Sequence, residues 1–202
     1  EYKAFQEYAA MNDKHNYLWQ NKGGTRDEKL VRDMAVFSAF GEGLQLFASF
    51  VMLLNFQRHG KMKGMGQIVA WSIRDESHHV ESMMKLFHCL LDEKPHVWND
   101  TFKKSLYDIC RDMVTLEDRF IDLAFELGPV EGLEPHEVKQ YIRYIADRRL
   151  LQLGLKPNFG VKENPLEWVD WVINGVEHTN FFENRSTEYA KGALQGSWDD
   201  AF

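Results

Sequence analysis

The chain has 202 residues, of which 44% are hydrophobic and 27% charged, and its formal net charge is −7. This length and apolar content suffice for one globular domain with a substantial core. The acidic balance, without any run rich in lysine and arginine, argues against a nucleic-acid-binding surface or an anchor to anionic membranes.

The predicted elements are helices, and they begin with a helix-permissive segment that ends near Trp19. Two glycines in NKGGT break this segment, and Thr25 is a suitable N-cap for a long helix from about Arg26 to Arg58. The Gly-rich connection HGKMKGMG leads into a second long helix from about Met65 to Leu91. Because a short loop joins them, these two helices are predicted to be antiparallel neighbours.

Three more helices are predicted downstream. Apolar residues recur with helical period over residues 101–127. The stripe comprises Phe102, Leu106, Ile109, Met113, Leu116, Phe120, Leu123 and Leu127. Glu134 and Pro135 open a further helix that Gly154 closes, and a short Trp-rich helix starts at Pro165.

No segment shows strand-like alternation or an internal repeat, so the chain is predicted to be all-α. Residues 1–175 are predicted to form one helical domain. Residues 176–202 show no sustained period and are predicted to form a flexible tail.

The longest apolar stretch runs from Met34 to Leu54, and we predict a buried core helix there. Polar residues, including Glu42, interrupt it in a way that a lipid-facing span would tolerate poorly. Cys89 and Cys110 give no disulfide framework. We therefore expect no membrane span, and the cytoplasm as the compartment.

Three side chains on the two long helices are candidate metal ligands. Glu76 and His79 form a Glu-x-x-His motif, which places a carboxylate and an imidazole on one helix face about a turn apart. Glu42 lies on an apolar face of the neighbouring helix and can approach the same point. Ionisable groups at buried levels need a common partner. Carboxylate and imidazole donors suit iron or manganese better than zinc.

These residues supply half of a dinuclear site. A carboxylate-bridged di-iron bundle takes one Glu from each of two helices and Glu-x-x-His from each of two more. A second match, from Glu93 to His96, is excluded because Pro95 breaks the helix that would align the two side chains. His78 and Glu81 are predicted to lie on the solvated surface.

Glu42, its 34-residue separation from Glu76, the string IRDESHH and the ending NGVEHTNFFENRSTEY resemble the small, radical-generating subunit of class I ribonucleotide reductase. The resemblance covers nearly all of the chain but only the later part of such a subunit. It implies a ferritin-like helical bundle, with this chain as the downstream half of the four-helix core plus C-terminal helices and a tail. It also implies that Glu42, Glu76 and His79 ligate a dinuclear iron centre, with manganese or a mixed manganese/iron centre left open.

The same resemblance assigns roles to residues outside the ligand set. Asp75 matches the aspartate of the family's radical-transfer relay, although a surface aspartate is the alternative interpretation. Glu183 and Tyr189 match residues at the interface with the large subunit. The C-terminus, with Trp198 and Phe202, resembles the tail by which these subunits dock on the large subunit. A dimer of small subunits is also implied.

The family's first carboxylate ligand, its first Glu-x-x-His and its radical-bearing tyrosine lie upstream of anything in this chain. We therefore expect an upstream half to complete the site, either from a longer polypeptide or from a second chain. Without that half and the large subunit, the chain is expected to be inactive as a ribonucleoside-diphosphate reductase. Two alternatives remain: two copies of the chain that complete one dimetal site, and a metal-free interaction module.

Overall fold

A computed structural model describes residue 3 and residues 7–20, 22–126 and 128–175. These residues are mainly helical and contain no β-strand, only an isolated bridge between Val130 and Leu133. The all-α prediction is confirmed. The predicted tail, with Glu183 and Tyr189, lies outside the described residues, so its separation from the helical domain stays a prediction.

The α-helices are α1 (Ala9–Leu18), α2 (Arg26–Met34), α3 (Phe47–Arg58), α4 (Lys63–Glu93), α5 (Asp100–Phe125), α6 (Pro135–Gln152) and α7 (Glu167–Gly175). A π-helical segment, Ala35–Glu42, follows α2, and a short 3-10 helix, Pro95–Val97, follows α4. We call Ala35–Glu42 the π segment.

Local sequence chemistry sets several helix starts. The Thr25 side chain accepts a hydrogen bond from the Glu28 N–H, and the Glu28 carboxylate accepts one from the Thr25 N–H at 2.8 Å. This capping box satisfies two N–H groups that the first turn leaves free. Glu134 caps α6 in the same reciprocal way, with Pro135 at the first helical position. Both predicted starts are therefore confirmed.

The predicted regular helix from Arg26 to Arg58 is wrong in its middle. The Gly43 N–H donates to the Ser38 carbonyl at 2.9 Å, and the Gln45 N–H donates to the Phe40 carbonyl at 3.1 Å. These five-residue bonds widen the helix, and a turn through residues 43–46 follows before α3 begins. Because the whole stretch is apolar, its periodicity gave no indication of the widened turn.

The stretch Arg26–Arg58 is also long and apolar enough, by length and composition alone, to cross a membrane. A core helix passes the same test, and 56% of its most apolar window is buried inside the fold. Val31, Ala39 and Val51 along it are fully buried. The prediction of a core element is thus the better description of this stretch.

The helices pack in pairs around one core. α3 packs on α4 across the short connection at residues 59–62, α5 packs on α6, and α1 packs on α5. The largest fully buried side chains include Phe40, Leu54, Phe87, Phe102, Leu106, Met113, Ile121 and Ile142. In the α3–α4 hairpin, α4 carries two of the candidate ligands, and the π segment that precedes α3 carries the third.

The buried face of α5 departs from its predicted stripe near the C-terminal end. The half-buried residues there are Leu116, Phe120 and Leu123, and Leu127 lies outside the described residues. Burial continues instead through Glu117 and Ile121, both fully buried. The apolar stripe thus has a carboxylate in line with it, which the prediction passed over.

A buried aspartate organises the chain after α6. Asp147 is 3% exposed, and its carboxylate accepts hydrogen bonds from the backbone N–H groups of Asn158 (2.7 Å), Phe159 (2.8 Å) and Val161 (3.1 Å). These charge-assisted hydrogen bonds satisfy backbone N–H groups that have no partner in a helix or sheet. This side chain fixes the connection between α6 and α7.

Candidate metal centre

The three predicted ligands meet at one point on the α3–α4 side of the fold. Glu42 is the last residue of the π segment, while Glu76 and His79 lie on α4. One ligand atom from each lies within 4.8 Å of the others, and His79 Nδ1 is 2.7 Å from Glu42 Oε2. Atoms bound to one metal at about 2.0–2.2 Å are at most about 4.4 Å apart, so small side-chain adjustments suffice.

The electrostatics of this cluster suit a cation. Glu42 Oε2 is buried and has no hydrogen-bond partner, although it lies 2.7 Å from His79 Nδ1. Burial and the neighbouring Glu42 charge raise the pKa of Glu76, and His79 opposes this only in part. Two neighbouring carboxylates with too few hydrogen-bond donors are typical of a functional site, because a bound cation can supply the missing positive charge. The donor chemistry therefore fits a divalent metal ion.

The cluster is more open than the sequence predicted. The Glu42 and His79 side chains are 36% and 51% exposed, so His79 does not lie at a buried level. The apolar neighbours of His79 on α4 do pack inward, with Val80 fully buried. The ligand face of α4 is thus uncovered within the described part of the chain.

The other residues singled out around α4 lie on the surface. Asp75 and His78 are exposed, and Glu81 forms an exposed ion pair with Lys85 at 2.8 Å. His96 lies in the 3-10 helix beyond the end of α4, as expected from Pro95. Asp75 adjoins Glu76 in sequence, and nothing in its own contacts distinguishes it from a surface aspartate.

Two cations beside the cluster, the half-buried Lys14 and the buried Arg149, were missed by the sequence analysis. Arg149 of α6 donates from Nε to the Gly43 carbonyl at 2.8 Å, and Lys14 of α1 donates to the Gln45 carbonyl at 3.1 Å. Lys14 also forms an ion pair with the buried Glu117. The carboxylate within the α5 stripe could have indicated a buried partner, but no local pattern connects it with Lys14.

A helical hairpin that directs one glutamate and a Glu-x-x-His pair to a common point defines the class: helical proteins that present a carboxylate–histidine cluster. Within it, the family model described as "Ribonucleotide reductase, small chain" matches residues 1–165. The chain belongs to this family.

Named relatives agree with this assignment. The chain is 47% identical over 214 residues to a probable ribonucleoside-diphosphate reductase small subunit of Invertebrate iridescent virus 3, covering 98% of this chain and 57% of that relative. It is 40% identical over 240 residues to the corresponding protein of Invertebrate iridescent virus 6, covering 98% and 66%. The chain therefore spans less than two thirds of the length of either relative.

Solved structures support the fold. The ribonucleotide reductase R2 subunit from Clostridium botulinum superposes with a TM-score of 0.77 at 21% identity, over 85% of this chain and 55% of that one. A putative class I ribonucleotide reductase from Bacillus halodurans gives 0.75 at 20% identity, over 84% and 62%. The predicted ferritin-like helical fold is confirmed.

Proposed function

We propose that this chain is the part of a ribonucleoside-diphosphate reductase small subunit that contributes half of a dimetal site. Family membership supports the enzyme assignment. The observation that carries the metal site is the convergence of Glu42, Glu76 and His79 around a buried carboxylate oxygen without a hydrogen-bond partner. The subunit would generate and store the oxidising equivalent that the large subunit uses to make deoxyribonucleotides.

Glu42, Glu76 and His79 would hold the metal, with dinuclear iron the proposed centre and manganese or a mixed centre as variants. The bound metals supply the redox chemistry. The protein groups orient and neutralise: Glu42 and Glu76 offset positive charge, and His79 presents a ring nitrogen already 2.7 Å from Glu42. Because burial raises the pKa of Glu76, its ionised form gains from a cation beside it.

An upstream half is proposed to cover the ligand face. Two divalent ions need about four carboxylates for neutrality, and the helical template uses four Glu and two His. Glu42, Glu76 and His79 provide half of each count. The partial exposure of these side chains and the greater length of the relatives support a missing partner element.

Radical transfer to the large subunit is proposed to use Asp75, Glu183 and Tyr189. Asp75 is exposed next to the ligand Glu76, which leaves it accessible to a partner group. Glu183 and Tyr189 belong to the proposed docking tail, residues 176–202. The small subunit is further proposed to act as a cytoplasmic dimer.

Metal uptake on complementation tests the proposal. The chain is mixed with the preceding segment of the Invertebrate iridescent virus 3 relative, loaded with Fe(II) or Mn(II), desalted and analysed for bound metal. We expect tight binding by the mixture and its loss with Glu76→Ala. Glu81→Ala is the matched control, since Glu81 lies on the same helix in an exposed ion pair. A folded mixture that retains no iron or manganese would contradict the proposal.

The same experiment separates the alternatives. One dimetal site per two chains, with no upstream segment added, would favour a symmetric dimer in which each copy supplies its open half-set. Reductase activity of the complete assembly that survives Glu76→Ala would favour a metal-free interaction module.

A further inference from the structure

We propose that Lys14 and Arg149 are positioning residues for Glu42: a half-buried lysine and a buried arginine hold the backbone turn that directly follows this ligand. The proposal rests on the proposed function, because it concerns Glu42 as a metal ligand. Neither cation touches the candidate metal position. They act on the main chain from which the Glu42 side chain projects.

The turn needs such donors because it interrupts the helical hydrogen-bond ladder. Within it, the N–H groups of Gly43 and Gln45 bond back five residues, and α3 begins after it, at Phe47. Among the described residues, no backbone N–H donates to the Gly43 or Gln45 carbonyl. Buried carbonyls without donors are strongly disfavoured, so side chains must supply them.

Arg149 satisfies the first of these carbonyls from within the core. Its side chain is 9% exposed, donates to Gly43 and to the Gln152 side chain at 2.8 Å each, and lies 5.6 Å from the Phe47 ring centroid. Within the described residues it forms no ion pair with a carboxylate. Burial lowers the pKa of Arg149 to about 10, so it stays charged at neutral pH. A buried cation without a counter-ion is costly, which argues for a specific role.

Lys14, on α1, satisfies the second carbonyl. Its ammonium group bonds the Gln45 carbonyl at 3.1 Å, pairs with the fully buried Glu117 and lies 4.3 Å from the Phe120 ring centroid. The turn is therefore tied to α1 and α5 through Lys14 and to α6 through Arg149. The three helices that anchor it are distinct from α4, which carries the other two ligands.

Gly43 fits this arrangement closely. A Cβ atom at this position would lie 2.5 Å from the Ala39 carbonyl oxygen and 2.6 Å from Arg149 Nε. At Gly41, on the other side of Glu42, a Cβ would meet its nearest atoms at 3.4 Å, an ordinary contact. Of the two glycines that flank Glu42, only Gly43 must lack a Cβ atom for Arg149 to approach. Gly41 is therefore a matched control position.

The test measures metal affinity and local backbone protection together. Arg149→Met and the double variant Lys14→Met/Glu117→Gln each remove a contact to the turn, and Gly43→Ala places a Cβ atom 2.6 Å from Arg149 Nε. The double variant avoids leaving Glu117 buried without its cation. Mn(II) affinity is measured on the complemented assembly by chelator competition. Amide hydrogen exchange over residues 38–47 is measured on the chain without metal.

We expect each variant to weaken Mn(II) binding about 10- to 100-fold, the range found when outer partners of metal ligands are removed. Exchange of the Gly43 amide should become faster in the same variants. The controls should stay close to wild type: Gly41→Ala, and Arg148→Met at the neighbouring exposed arginine. Arg149→Lys, which keeps a cationic donor, should recover much of the lost affinity.

Unchanged Mn(II) affinity in folded Arg149→Met and Gly43→Ala assemblies would overturn the proposal, even with faster exchange, because the contacts would then be structural only. Equal loss in Arg148→Met or Gly41→Ala would overturn it as well. If the wild-type assembly binds no metal, the proposed function fails. The exchange data then decide alone: unaltered protection of the turn in the variants rejects the positioning role.

Discussion

The α5–α6 pair and the ligand face of α4 differ in how their polar groups are satisfied. In the first region, Asp147 accepts three backbone bonds, and Arg143 forms two bonds with Asp118 at 2.8 and 2.6 Å. On the ligand face, Glu42 has a buried oxygen without a hydrogen-bond partner, and Glu76 has a raised pKa. Apart from Glu117, whose buried carboxylate oxygens have no hydrogen-bond partner, the first region completes its own polar network, while the ligand face carries negative charge that His79 offsets only in part.

This difference separates scaffold from site. Groups that satisfy one another contribute to folding, and substitutions there should reduce stability. Carboxylates that lie beside other negative charges and lack hydrogen-bond donors oppose folding, and such groups are typical of functional positions. Substitutions in the two regions should therefore change stability in opposite directions, which the following variants examine.

The largest loss is expected for Asp147→Ala. This change removes the carboxylate that three backbone N–H groups share at a buried position, and we expect a loss of about 4 kcal/mol in unfolding free energy. Chemical denaturation followed by circular dichroism gives the value. Asp147→Asn keeps one acceptor oxygen and should lose less. Equal stability of Asp147→Ala and wild type would show that this network does not support the scaffold.

Glu117 is the exception within the scaffold, and its pH dependence should be large. Burial raises its pKa from 4.5 to about 7 even beside Lys14. Between these values the unfolded chain releases a proton that the folded chain keeps, so stability falls as pH rises toward 7 and is flat above it. The stability advantage of acid pH from this group is on the order of 3 kcal/mol.

The measurement is the unfolding free energy of wild type and Glu117→Gln from pH 4 to 8. The difference between the two should change across that window and then become constant. Glu126→Gln, at an exposed glutamate near the end of the same helix, should follow the wild-type profile. A Glu117→Gln difference that does not vary with pH would contradict the raised pKa.

The sequence predicted much of the scaffold because local chemistry specifies it. Thr25 with Glu28, and Glu134 before Pro135, are start signals that act within four residues. The meeting of the ligands was also predictable in outline. Three-residue spacing fixes Glu76 and His79 on one face, and the hairpin brings the preceding helix beside them.

Long-range contacts and irregular backbone were not predictable in this way. The π segment lies in an apolar stretch where any helical period fits, so its widened turn leaves no pattern. Arg149 and Lys14 reach the turn from helices distant in sequence, and no spacing rule connects them. His79 was expected at a buried level because the pattern of α4 was interpreted as that of a covered helix. Within the described residues that face is open.

A smaller loss is expected at the start of α2, which leads into the π segment. Thr25→Ala removes one side of the capping box and should lower unfolding free energy by about 1 kcal/mol. Thr25→Ser keeps the hydroxyl acceptor and should match wild type. Thermal or chemical denaturation resolves the two. A Thr25→Ala chain as stable as Thr25→Ser would mean that the π segment holds α2 without help from its cap.

The smallest effect, with the opposite sign, is expected for Glu76→Gln without metal. Burial and the nearby Glu42 raise the pKa of Glu76, so its ionised form opposes folding, and neutralising it should raise the unfolding free energy by less than the loss expected for Thr25→Ala. The gain should grow as pH rises through the titration of Glu76. Glu81→Gln, which breaks an exposed pair with Lys85, should bring no gain. Denaturation at two pH values in the presence of chelator measures the change in unfolding free energy for both variants. A Glu76→Gln chain less stable than wild type would place Glu76 with the scaffold, because the ligand face would then compensate its own charge.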